Sequence, residues 1–334
     1  MTNRVEAGTF GAEAVVVEPD LPVIDCHHHL WHRPGSRYLV EEFADDLASG
    51  HKVIASVYVE CGSMNRNSGP PALQPVGEAE FVAGMAAMSA SGFYGPAKIC
   101  AAFVGAADLS LGAAVDDVLD ALALASGGRL RGVRGAVVWD ANDAINPGGR
   151  PHAKRGLLLD PAFRQGVARL AERHLVYDAW QYYTQLHELG SLADAFPDLP
   201  IVVNHCGGLV GIGAYAAPDN FERWRSQVTE LARRPNVLMK LGGLSGHRCG
   251  FGFKDWPTPP TAEQLAHLWR PYIETCIDLF GPERCMFESN YPPDRVAGSY
   301  RTLWNALKLT ASRCSADEKQ ALFSGTAQRV YSIQ

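Results

Sequence analysis

Residues 175–207 read LVYDAWQYYTQLHELGSLADAFPDLPIVVNHCG. Two short apolar runs, LVYDAW (175–180) and IVVNHCG (201–207), flank a longer amphipathic stretch, TQLHELGSLADAFPD (184–198). The flanking runs have the length of strands, and the stretch between them has the length and apolar spacing of a helix. A helix that carries the chain back along the sheet sets the next strand parallel to the first. The same unit repeats in both directions. Strands are predicted at 22–29 (PVIDCHHH), 53–61 (VIASVYVEC), 99–108 (ICAAFVGAAD), 130–139 (LRGVRGAVVW), 175–180, 201–207, 237–243 (VLMKLGG) and 285–291 (CMFESNY), with helical patterns such as DPAFRQGVARLAERH between them. Eight strand–helix units in 334 residues predict an α/β fold, a (β/α)8 TIM barrel. A doubly wound sheet is the alternative, but no GxGxxG turn follows the first strand. With no repeat or linker, the barrel is one domain over 21–334 behind an N-terminal extension over 1–20.

Composition narrows the function. Hydrophobic residues make up 47 % and charged residues 20 %, enough apolar mass to fill a barrel and its helical jacket. The net charge is −6, and no Lys/Arg cluster marks a nucleic-acid face. Gly or charged residues break every apolar stretch short of a membrane span. The N-terminus has Glu and Gly where a signal peptide would be apolar. The eight cysteines are scattered without a CxxC pair and read as reduced thiols. A cytoplasmic enzyme with a small-molecule substrate is therefore expected, with neither nucleic acid nor membrane as partner; self-association into a homo-oligomer stays open.

Long segments at 62–76, 140–159, 207–220 and 244–262 leave the C-terminal ends of strands, where barrels build their sites. The first strand ends in Asp25-Cys26-His27-His28-His29, and strand alternation places Asp25, His27 and His29 on one face. Two imidazoles at i and i+2 chelate a divalent metal well, and His205 at the end of the sixth strand adds a third ligand on the same rim. Glu60 ends the second strand behind an apolar run, a position that makes it a site residue or the partner of an ion pair. Glu288 and Asn290 point the same way at the end of the eighth strand. Arg131 and Arg134 differ by three, so a regular strand turns only one inward, where it would grip a substrate carboxylate. Lys240, in a strand buried on both faces, either pairs with Glu288 or sits at a wet end. Trp180, Tyr182 and Tyr183 after the fifth strand form a wall for a ring-shaped substrate, or simply core.

These residues in this order resemble the amidohydrolase-related family of TIM-barrel metal-dependent hydrolases. The matching features are Asp25-Cys26-His27-His28-His29-Leu30-Trp31, Arg131-Gly132-Val133-Arg134, Gln185-Leu186, Phe196-Pro197 with Asn204-His205-Cys206-Gly207, Asn236-Val237 with Lys240-Leu241, and Arg284 through Pro292. The resemblance runs from about residue 21 to the C-terminus, and the nearest branch is that of sugar-lactone and pyrone-dicarboxylate lactonases. It implies a lactonase that opens a carboxylated lactone. His27, His29 and His205 hold a divalent metal, zinc first, and His205 and Asn290 serve catalysis. Arg131 or Arg134, with Trp180 and Tyr182, hold the substrate. A second branch implies a metal-dependent decarboxylase of aromatic or muconate-type acids. One departure matters: the family commonly has Asp where this chain has Asn290. An amide takes up no proton near neutrality, so metal binding is expected to be weak or absent. Glu60, Glu288 or Asp294 could supply the lost carboxylate, of which Glu60, at the rim end of its strand, is preferred; a base elsewhere in the chain stays open.

Overall fold

A computed structural model describes residues 15–145 and 153–334; residues 1–14 of the expected extension and 146–152 of the loop after the fourth strand lie outside it. Eight strands form one sheet in chain order: β1 (Val23–His28), β2 (Val53–Val59), β3 (Lys98–Gly105), β4 (Leu130–Ala136), β5 (Val176–Trp180), β6 (Ile201–Val203), β7 (Val237–Leu241) and β8 (Cys285–Phe287). All seven ladders between them are parallel. Helices from Val40–Leu47 after β1 to Tyr300–Thr310 after β8 wrap the outside. Local chemistry sets several of their ends. Asp160 caps the helix Pro161–Glu172, with Pro at the first turn, and Thr261 and Gln264 form a capping box on Ala262–Phe280. No helix among the described residues is long and apolar enough to cross a membrane, and all eight cysteines are unpaired.

The barrel closes between β8 and β1 at one end only. Asn290 N–H donates to His27 O at 2.9 Å and His29 N–H to Tyr291 O at 2.8 Å. The seam thus joins the histidine segment to the segment of Asn290. Two apolar cores flank the sheet. Ile24, Cys26, Val57, Val104, Val202 and Met286 fill the barrel, and Tyr331 and Ile333 of the C-terminal tail enter the same cluster. The larger core lies between strands and helices.

Three features depart from the strand pattern. The ladders of β6 and β8 stop after three residues, earlier than 201–207 and 285–291, so His205, Glu288 and Asn290 project from turns beyond the sheet. The β1–β2 register shifts between Asp25 and His28. This irregularity takes Asp25 off the face of His27 and His29, contrary to strict alternation. Asp25 instead accepts from Ser289 N–H (3.0 Å), Ser289 Oγ (2.6 Å) and Tyr300 OH (3.0 Å), and burial pushes it up to about 6 against these bonds. His28 stacks on Phe43 with ring centroids 4.2 Å apart. Third, Lys240 does not pair with Glu288. Its Nζ lies 3.2 Å from Asp178 on β5, both side chains fully buried, and Tyr331 OH donates to Asp178 Oδ2 at 2.6 Å.

Candidate active site

His27 Nε2 and His29 Nε2 lie 3.2 Å apart, and the His27 and His205 rings have centroids 4.8 Å apart. His27 and His29 are buried; His205 opens slightly to the rim. Their hydrogen bonds determine which nitrogens carry lone pairs. His29 Nδ1 meets the acceptor Val59 O at 2.7 Å, so Nδ1 holds the proton. Arg134 Nη1, which can only donate, reaches His27 Nε2 at 3.3 Å, so that proton sits on Nδ1. His27 Nδ1 faces Glu288 Oε2 at 2.7 Å, and His205 Nδ1 faces Glu288 Oε1 at 2.7 Å. Each imidazole therefore carries its lone pair on Nε2, that of His27 already in reach of Arg134 Nη1. Burial above all, then the charge of Lys240 on His27 and of Arg134 on His29, hold both rings well below the usual imidazole range, so they are neutral.

Two lone pairs 3.2 Å apart repel unless a positive centre lies between them. Metal–N bonds of about 2.0–2.1 Å place two ligands of a tetrahedral ion about 3.4 Å apart, close to what is seen. His27, His205 and Glu288 also offer ligand atoms all within 4.8 Å of one another. The donor set fits a divalent metal. The partners of Glu288 make it the brace of two ligands, because both oxygens already face Nδ1 atoms. Two features oppose tight binding. Asn290 contributes no charge, and the Arg134 guanidinium already stands at the His27 lone pair.

The backbone places His205 by a run of left-handed residues: His205 (φ +54°), Cys206 (+49°), Gly207 (+85°) and Gly208 (+74°). Glu288 Oε1 holds the turn by accepting His205 N–H at 3.0 Å as well as Nδ1–H. Room for the ring comes from Gly243 (φ +63°), where a Cβ would lie 2.0 Å from His205 Nδ1. The Gly-Gly pair after Leu241 is the signal in the sequence for this cradle, and the sequence reading did not use it.

The remaining candidates divide. Glu60 is buried, with Oε1 accepting from Arg134 Nε at 2.7 Å and its carbonyl from Arg134 Nη2. It meets Arg134, the ion-pair alternative of the two readings open for this position. Arg134 faces inward, where Glu60 and His27 take three of its five N–H donors, and its guanidinium lies 5.3 Å from the Trp180 ring. Arg131 lies at the opposite, N-terminal end of the barrel, where Nη1 donates to Gly128 O at 2.9 Å and Leu130 O at 3.0 Å. It is not in this site, because the odd spacing sends it elsewhere. Trp180 is half-buried at the rim and Tyr182 is buried behind it. Tyr183 turns away to Asn220 at 2.7 Å.

Two residues gain weight from the geometry. Arg248, in the loop after β7, packs its guanidinium 5.2 Å from Trp180 and 5.9 Å from Tyr182, with no carboxylate partner among the described residues. A lone Arg in a long loop gives no sign in sequence of where it points. Asp294 is buried, and its Oδ1 accepts Asn290 Nδ2–H at 2.8 Å. Burial pushes it up to about 7; the Asn290 hydrogen bond opposes the rise and the charge of Glu288 adds to it.

Imidazoles converging at the C-terminal mouth of a (β/α)8 barrel, two of them facing one carboxylate, define a site of the metal-dependent hydrolase class. The chain belongs to the amidohydrolase family, whose sequence model matches residues 24–333, and it is a hydrolase. It is 32 % identical over 336 residues to an uncharacterised protein of Sinorhizobium fredii, y4mH, covering 94 % of this chain and 99 % of that one. It is 28 % identical over 322 residues to the L-fucono-1,5-lactonase of Burkholderia multivorans, covering 93 % and 96 %. Among solved structures, an amidohydrolase of Burkholderia multivorans with bound zinc superposes with a TM-score of 0.71 at 27 % identity, covering 93 % of this chain and 99 % of that chain.

Proposed function

We propose that the protein opens a lactone that carries a carboxylate, with zinc as its metal. The observation that carries this reading is Arg248, a cation with no carboxylate partner among the described residues, set against the aromatic wall of a histidine site. The lactonase and zinc-bound relatives support the chemistry and the metal. A bound divalent ion would polarise the ester carbonyl and lower the pKa of water.

The chain's own residues supply the rest. His27, His29 and His205 present their Nε2 lone pairs to the metal. Trp180 stacks on the ring of the substrate, and Arg248 takes its carboxylate by charge-assisted hydrogen bonds. Asn290 donates Nδ2–H to Asp294, which turns its Oδ1 away from that carboxylate and leaves it as the acceptor for water. Asp294 takes the proton. Of the three carboxylates near the rim, Glu60 is ion-paired and Glu288 faces two imidazoles, whereas Asp294 meets neutral donors, the Asn290 amide and Ser245 N–H.

Acid release from carboxylated lactones, measured with zinc-analysed protein, tests the reading. Carbon dioxide release from hydroxybenzoates in place of lactone opening would transfer the protein to the decarboxylase branch. Arg248→Met is expected to raise KM for the acidic lactone about 10–100-fold while sparing a neutral lactone, since a charge-assisted hydrogen bond is worth about 1.5–3 kcal/mol. Equal KM values would remove Arg248 from substrate binding. A base must be ionised to accept a proton, and Asp294 titrates near 7. Activity should therefore rise with pH through about 7 and level off above it. Asp294→Asn should lower kcat and flatten that limb; an unaltered profile would assign the proton elsewhere.

A further inference from the structure

We propose that the N-terminal face of the barrel carries a second ligand site, for a small organic oxyanion with a carboxylate or phosphate head. An open cavity of about 620 Å³ lies there, between the starts of β3 and β4, the end of the helix Val76–Ala90 and the C-terminal tail. That volume lies within the range of small-molecule sites. Lys98, Arg129 and Arg131 line it, and no Asp or Glu does among the described residues.

The two guanidiniums are held in place and remain unneutralised. Arg131 Nη1 donates to Gly128 O (2.9 Å) and Leu130 O (3.0 Å), and Arg129 Nη1 to Gly127 O (3.3 Å) and Ser126 O (3.4 Å). Both thus brace on carbonyls of the turn 126–130 through a single nitrogen. The other nitrogens of each fork have no acceptor among the described residues, and Arg131 Nε is buried without one. Lys98 Nζ is taken up by the chain's last residue, donating to Gln334 O at 2.6 Å, so the two guanidiniums are the open positions of the cavity. Elsewhere in this acidic chain, arginines such as Arg173, Arg234 and Arg313 pair with carboxylates. Two guanidiniums without a carboxylate partner among the described residues repel one another across one cavity, and a bound oxyanion relieves that repulsion while filling the open fork positions. Ala90, Pro96 and Ile99 give the cavity an apolar side, which suits a short carbon body behind the anionic head. The site stands at the opposite end of the barrel from the histidines and does not depend on the lactonase reading.

Calorimetric titration with succinate and with inorganic phosphate, at constant ionic strength, tests the proposal and separates the two head groups. Saturable submillimolar binding of at least one probe is expected. Arg129→Met/Arg131→Met should weaken it at least about tenfold, the loss of charge-assisted hydrogen bonds, with zinc content and thermal midpoint unchanged. Lys98→Glu, at an exposed position, places a carboxylate among the arginines and should do the same; it decides the matter if the double variant fails to fold. No saturable binding to the wild-type protein, or affinities unchanged in these variants, would overturn the site.

Discussion

Glu288→Gln is expected to abolish most of the activity while leaving the fold intact. Glu288 Oε1 accepts the His205 amide and Nδ1–H, and its Oε2 stands 2.7 Å from His27 Nδ1, so one carboxylate faces both imidazoles. A glutamine keeps the shape but replaces one oxygen with an NH2 donor. One imidazole must then either face a donor with its own N–H or move the proton to Nε2. In the second case its lone pair turns away from the other imidazoles, and the ligand set proposed above falls from three nitrogens to two. Loss of one such brace lowers metal affinity or activity about 10–100-fold, and two imidazoles share this one, so a fall in kcat/KM of about 10²–10⁴-fold is expected. Zinc retained after dialysis against chelator should fall in parallel. Circular dichroism should stay at wild type, because Glu288 is held by the site and not by the core. Activity and zinc content within a few fold of wild type would show that the imidazoles orient themselves.

Lys240→Met should produce the largest loss of stability, about 3–5 kcal/mol by urea unfolding. The side chains of Lys240 and Asp178 are both fully inaccessible, inside the barrel below the histidines. Removing the ammonium leaves the buried Asp178 carboxylate, among the described residues, with Tyr331 OH and Asn204 Nδ2–H alone to stabilise it. Asp178→Asn/Lys240→Met removes both charges and keeps the amide and hydroxyl bonds possible. It should recover more than half of the loss, since replacing a whole buried pair is far milder than halving it. A single variant within about 1 kcal/mol of wild type, the size of an ordinary substitution, would mean that water or another cation reaches Asp178.

The eightfold barrel was legible because the strand–helix alternation is a one-dimensional signal. Each apolar run of strand length followed by a helical pattern appears in the sequence whether or not its neighbours are known. The histidines were legible for a related reason: residues two apart on one strand stay close whatever the rest of the chain does, and His27 and His29 do. What the sequence left open depends on contacts between distant segments. Alternation assigned Asp25 to the histidine face, but pairing with β2 shifts the register there and sends it to Ser289 and Tyr300. Lys240 was recognised as an unusual buried cation, yet its partner Asp178 lies 62 residues away, chosen by barrel packing. Glu60 ends its strand as foreseen, but a guanidinium from β4 occupies it, and this leaves Asp294 as the carboxylate poised near neutrality. Arg131 and Arg134, three residues apart, part to opposite ends of the barrel, one to the N-terminal cavity and one to the histidines. Residue type and local spacing therefore set the fold and the nature of the ligands. Which charges meet, and so which group is neutral, braced or free to act, is decided only when the closed barrel brings separate strands within a few ångströms, where Coulomb and desolvation energies become large.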